Sequence, residues 1–202
     1  MARPKRPDRR RRTAARRRSF TVPRTVSHPA LLQRGTDEAF RDTLYLMALA
    51  FGRLRAFREA FGRALSLTAP QFIVLIGAAY RQGEDGVSIR ALAQHTQLAD
   101  THVTTEVGRL IAKRLLRKAV NQRDRRSMLV RLTPRGEAAI RRVTPLLRRV
   151  NDRLFENVSR DEFTVVSRFL ATFAINSKIA LVELEWVRRR RRARARMRGD
   201  RK

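Results

Sequence analysis

Arg123, Arg125 and Arg126 crowd around Asp124, just ahead of Ser127. A guanidinium binds phosphate or guanine through two parallel hydrogen bonds, and an aspartate can orient one arginine while another enters a minor groove. Leu116–Val120 and Met128–Leu132 on either side can pair as antiparallel strands, which places the cluster at the tip of a hairpin. Upstream, Thr101, His102, Thr104 and Thr105 gather at the start of a helix whose other face carries Val103 and Val107, with Arg109 further along it. Threonine can hydrogen-bond a base edge or touch a thymine methyl, imidazole can donate or accept, and a helix N-terminus favours phosphate. These are residues for holding a polyanion. Bond-breaking chemistry lacks its parts: no paired carboxylates in an apolar context, no glycine-rich phosphate loop, and no catalytic spacing of Ser, His and Asp. The expectation is a protein that is not an enzyme.

Metal and redox chemistry are not expected either. There is no cysteine, and His28, His95 and His102 have no metal-ligand spacing, so neither a metal site nor a cofactor is anticipated.

The charge balance points the same way. Of the formal +29, residues 1–24 supply +10 and residues 188–202 supply +9, leaving +10 on the body between them. A body that is cationic without its ends favours a polyanionic partner, double-stranded DNA before an anionic membrane. Arginine outnumbers lysine 42 to 5. That suits bidentate phosphate binding, and a GC-rich genome would produce the same bias. Arg17-Arg18-Ser19-Phe20 is superficially like a twin-arginine export signal, but no apolar segment follows it. No apolar run reaches the roughly 18–20 residues of a membrane span. The expected location is therefore cytoplasmic and nucleoid-associated, with no membrane partner.

The elements that must position these residues read mostly as helices. Residues 1–30 lack a periodic apolar pattern and are expected to be disordered. Leu44, Met47, Phe51, Leu54 and Phe57 recur at helical spacing in a first helix over about 37–62. Thr68 is a candidate cap for a second helix. Val87-Ser88-Ile89 is a short strand or a helix entry capped by Ser88, and Arg90–His95 gives about two helical turns. After the connection at Thr96–Ala99, Asp100 or Thr101 can cap a longer helix. Two such helices close in sequence can form a helix-turn-helix, with the second one's outer face free for the major groove. Thr133-Pro134 opens a helix in which Pro145 should cause a bend or a split. Ser159 with Glu162 fits a capping box for the last helix, which carries Phe163, Val166, Leu170 and Phe173. The class is mainly α with a small antiparallel β-wing.

Leu67-Thr68-Ala69-Pro70-Gln71-Phe72-Ile73-Val74-Leu75, the Ser88–Leu98 element, Asp124-Arg125-Arg126-Ser127 and Leu132-Thr133-Pro134-Arg135-Gly136 together resemble the multiple-antibiotic-resistance regulator (MarR) family over about 37–175. The resemblance implies a winged helix-turn-helix (about 66–133) between N- and C-terminal dimerisation helices (about 37–62 and 134–187), within a domain spanning 31–187. An Arg-rich tail, 188–202, would follow. It also implies an obligate homodimer, a repressor, that reads a pseudo-palindrome with recognition helices about 34 Å apart. A small aromatic or phenolic effector would bind between the dimer helices and the DNA-binding region. By residue, Ser88, Thr101, His102, Thr104, Thr105 and Arg109 would contact DNA, with Arg123, Asp124, Arg125 and Arg126 in the wing. Leu44, Met47, Phe51, Phe163, Val166, Leu170 and Phe173 would pair the chains, since otherwise they leave a large apolar patch. Asp100 departs from the Arg or Ser common there and would repel phosphate unless it acts as a cap. The Arg-rich ends would add sequence-independent affinity. A nucleoid-associated architectural protein with little sequence preference is the alternative.

Overall fold

The computed structural model describes residues 20–121 and 128–199, the last seven as backbone only. The chain divides into two units, Met1–Ala60 and Phe61–Lys202.

In the first unit the chain makes one 3-10 turn, Pro29–Leu31, and then enters helix α1, Glu38–Ala64, which runs across the unit boundary. Asp37 sets that entry. Its buried carboxylate accepts from the Thr25 N–H at 2.6 Å, from Thr25 Oγ1 at 2.8 Å, and from the Arg41 guanidinium. These bonds, the Thr25 N–H foremost, hold the Asp37 pKa below its ordinary value, because each favours the charged form. Residues 20–30, part of the expected disordered extension, are thus anchored at Thr25. Leu44 and Phe51 are exposed and Met47 is half-buried.

The second unit holds the core. Helix α2, Ala69–Arg81, starts at a complete capping box. Thr68 Oγ1 accepts from the Gln71 N–H, and the Gln71 side chain accepts from the Thr68 N–H. Strand β1 (Val87–Ser88) leads into helix α3 (Ile89–Thr96), and Gln97, in the left-handed region, turns the chain into helix α4 (Asp100–Ala112). Strands β2 (Leu116–Val120) and β3 (Met128–Leu132) pair antiparallel, with Leu116 opposite Leu132 and Val120 opposite Met128. The hairpin has the expected limits. The sheet gains a third strand, since β1 pairs with β3 at Val87–Val130, giving the order β1-β3-β2. Ser88 both ends that strand and caps α3, so its two readings hold together.

Leu75, Leu92, Leu110, Leu116, Val74, Val103 and Val130 are fully buried and join α2, α3, α4 and the sheet into one apolar core. Gln82 Oε1 accepts from the Leu132 N–H at 2.8 Å, tying β3 to the end of α2. The mainly helical class with a small antiparallel wing is the observed one.

Helix α5, Pro134–Leu154, begins with Thr133 Oγ1 accepting from the Gly136 N–H at 3.0 Å. Of the bend or split expected at Pro145, the split does not occur: one helix runs through that position. Ser159 and Glu162 form the expected capping box of helix α6, Arg160–Gly199. The Ser159 hydroxyl and N–H hold the Glu162 pKa low.

Two features of α6 refine the sequence reading. Residues 188–199, expected as a tail, continue the helix. No apolar run is uninterrupted over a membrane's width, yet one stretch is apolar enough on average to cross a membrane by length and composition. An 18-residue window of α6 has mean hydropathy 1.4, with none of it buried within the chain. Arg168 and Lys178 interrupt every apolar run, but their neighbours outweigh them in the average. A helix buried between subunits has the same composition.

Candidate nucleic-acid interface

The face of α4 follows from its rotation of about 100° per residue. Val103, Val107 and Leu110 are buried on one side. Thr101, Thr104, Thr105 and Gly108 are exposed and fall within one sector on the opposite side. Helix α3 packs against both α2 and α4 and leaves that sector open. This is the arrangement a helix needs to lie in a major groove.

The threonine hydroxyls are partly committed. Thr104 Oγ1 donates to the Asp100 carbonyl at 2.8 Å and Thr105 Oγ1 to the Thr101 carbonyl at 3.0 Å. Each side chain therefore offers its methyl group and acceptor lone pairs outward. Such a face can touch thymine methyls and accept from the amino groups of adenine or cytosine. Gly108 lies within this sector with open space beside it. It escaped the sequence reading because a glycine within a helix carries no chemistry of its own, yet it allows a groove wall to approach the helix closely.

His102 and Arg109 stand on the flank of the threonine sector, and both reach towards Glu106. Arg109 Nη1 lies 2.7 Å from Glu106 Oε1, and His102 Nε2 lies 3.5 Å from the same oxygen. Glu106 is only 2% exposed. It too escaped the sequence reading, since a charged residue in a helix usually faces solvent. Ser88 is half-buried, and its hydroxyl accepts from the Ala91 N–H at 3.2 Å as the α3 cap.

Asp100 and Thr101 do not cap α4. The N-cap position is Ala99, which has no side-chain hydrogen bond to give, and Asp100 is the first helical residue. Its carboxylate sits in the positive field of the first turn, where it competes with an incoming phosphate. Asp100→Asn should therefore tighten DNA binding roughly two- to five-fold at low salt while costing about 0.3–1 kcal/mol of stability. Fluorescence anisotropy with a labelled duplex, beside thermal melting, checks both signs. Unchanged or weaker binding would rule out this competition.

The wing residues Arg123, Asp124, Arg125 and Arg126 lie outside the described residues. Within the paired strands β2 and β3, Arg117 stands directly opposite Arg131. Like charges in register repel, so an anion beside this pair would relieve the repulsion.

A separate cavity of about 450 Å³ lies among Leu65, Leu67, Leu115, Ala138 and Ala139, with Lys113, Arg135 and Arg142 also lining it. Lys113 Nζ is held at 3.2 Å from the Ser66 carbonyl. Apolar walls and three cations suit a small anion with an apolar body.

Residues 67–136 match the family model of a winged helix DNA-binding domain. No curated protein matches the sequence. Among solved structures, a MarR-family transcriptional regulator from Silicibacter pomeroyi is 25% identical, with TM-score 0.56 over 75% of this chain and 96% of its own. BpsR of Bordetella bronchiseptica, whose DNA binding is regulated by 6-hydroxynicotinic acid, is 26% identical, with TM-score 0.50 over 66% of this chain and 98% of its own. CouR from Rhodococcus jostii RHA1, bound to p-coumaroyl-CoA, shares the fold at 21% identity and TM-score 0.56, over 65% and 89% of the two chains.

Proposed function

We propose that this chain, a winged helix DNA-binding protein with the fold of the MarR-family transcriptional regulators, is a homodimeric repressor that reads a pseudo-palindromic operator. The observation that carries the reading is the exposed Thr101, Thr104, Thr105 and Gly108 sector of α4, next to a β-hairpin with paired arginines. In this reading α4 enters the major groove, while Arg123, Arg125 and Arg126 reach the minor groove with Asp124 orienting one of them. The protein would act in the cytoplasm, on the nucleoid.

Pairing between chains is supported by apolar exposure. Leu44 on α1, and Phe163, Val166 and Leu170 on α6, are between 39% and 52% exposed. Every described apolar residue of α6 is exposed. So much exposed apolar surface marks an interface. Met47 and Phe51 on α1, and Phe173 on α6, are further proposed pairing residues.

The effector in this reading is a small aromatic or phenolic acid. The cavity with Lys113, Arg135 and Arg142 offers an anion site, and the relation to BpsR supports a ligand of that class.

Sedimentation equilibrium should give twice the 23.4 kDa chain mass, and a footprint should show one bounded, two-fold protected site. A monomer would remove the pairing. Uniform protection along the DNA would replace the operator reading with a nucleoid-coating one.

A further inference from the structure

Helix α4 places a carboxylate where its core-facing neighbours are valine and leucine. Glu106 is as buried as Val107, and its Oε2 has no hydrogen-bond partner among the described residues. A buried carboxylate gives up its hydration, and a well-packed leucine there is commonly as stable or more so. Stability therefore does not explain Glu106.

Its contacts supply another reason. The single oxygen Oε1 meets Arg109 Nη1, one turn ahead, and His102 Nε2, one turn behind. At 1.5 Å per residue the two side chains are rooted roughly 10 Å apart along the helix axis, on the flank of the threonine sector. Their side chains remain 59% and 45% exposed. One buried carboxylate thus holds one exposed head by a hydrogen bond, Arg109, and stands beside a second, His102. Arg109 keeps further N–H groups for a guanine edge or a phosphate, and the His102 Nδ1 atom stays available for a base. Long side chains fixed before binding lose less freedom on contact.

We propose that Glu106 is a positioning residue for base recognition, which sets the poses of Arg109 and His102 and thereby the base preference at the edge of each half-site. The proposal rests on the DNA-reading function above.

The test is selection from a random duplex library with the full-length protein, followed by sequencing of the retained DNA. The wild type is compared with Glu106→Leu, Glu106→Gln, His102→Ala/Arg109→Ala, and the triple variant carrying Glu106→Leu. Glu106→Leu should lose about tenfold in preference, at the same base pairs that the His102/Arg109 double variant loses, with the rest of the motif kept. Glu106→Gln, whose amide oxygen still accepts from Arg109, should keep the wild-type motif. The triple variant should match the double variant. If thermal melting shows that Glu106→Leu does not fold, Glu106→Asp, with its shorter reach, should give the same positional loss. A wild-type motif retained in Glu106→Leu or Glu106→Asp would overturn the positioning role alone. A loss spread evenly over the motif would do the same. A wild-type selection without any motif would overturn the DNA-reading proposal and this one with it.

Discussion

Gly136→Ala should destabilise the chain by about 2–3 kcal/mol, lowering its melting temperature by roughly 5–10 °C. A Cβ on Gly136 would stand 2.1 Å from the Leu115 carbonyl oxygen and 3.0 Å from Leu132 Cδ2. The first is a backbone atom, so no rotamer change relieves the overlap. The same carbonyl also accepts from the Thr133 N–H at 3.1 Å, and Thr133 Oγ1 donates to the Arg114 carbonyl at 2.6 Å. The first turn of α5 is docked on the start of the hairpin by these bonds, and pushing it away breaks them. The sign makes the test informative, because alanine normally stabilises a helix relative to glycine by about 1 kcal/mol. Gly108→Ala, which meets nothing within 4 Å, is the control and should be stabilising. Urea denaturation of both variants separates them. Equal stability of Gly136→Ala and wild type would mean that α5 is not docked this closely.

Removal of residues 1–24 and 188–202 should have the largest effect on DNA affinity. The two segments carry +10 and +9, about two thirds of the formal charge. Each phosphate neutralised contributes about 0.9 to the slope of log affinity against log salt. If about a third of these charges engage, the slope of the truncated protein is shallower by about 6. The full chain then loses about three decades more affinity between 50 and 200 mM salt. Operator preference should survive, since phosphate contacts carry no base information. An unchanged slope would remove the ends from the DNA-binding surface. The cut at Val187 shortens α6 by its last turns and leaves Thr25, which anchors the N-terminal segment on Asp37, in place.

Short-range chemistry was legible in the sequence, and long-range chemistry was not. The caps at Thr68, Thr133 and Ser159 are fixed by residues within three positions, and each has the expected hydrogen bonds. The hairpin limits were legible for the same reason, being set by two apolar runs around a polar turn. Asp100 was misread because a cap depends on which residue is the last non-helical one, and that place falls to Ala99. The burial of Glu106 could not be read, because a carboxylate in a helix usually faces solvent and only the packing of α4 in the fold covers it. Apolar spacing in α6 indicated a helix without indicating what covers it, since the pattern is alike for a core helix and an interface helix. The pairing of β1 with β3 joins residues more than forty positions apart, and only the tertiary fold brings them together.

The continuity of α6 has a mechanical consequence. Arg188 is carried about 42 Å from Arg160, at 1.5 Å per residue of helix. A flexible linker of the same length would explore a cloud with a root-mean-square extent of about 26–32 Å, offering its charge at many radii. A rod offers it at one. Arg188, Arg189, Arg190, Arg191 and Arg192 are thus a gauge, held by the helix at fixed distances along its axis from Arg160. Each residue inserted into α6 would lengthen the gauge by about 1.5 Å and turn its end by about 100°.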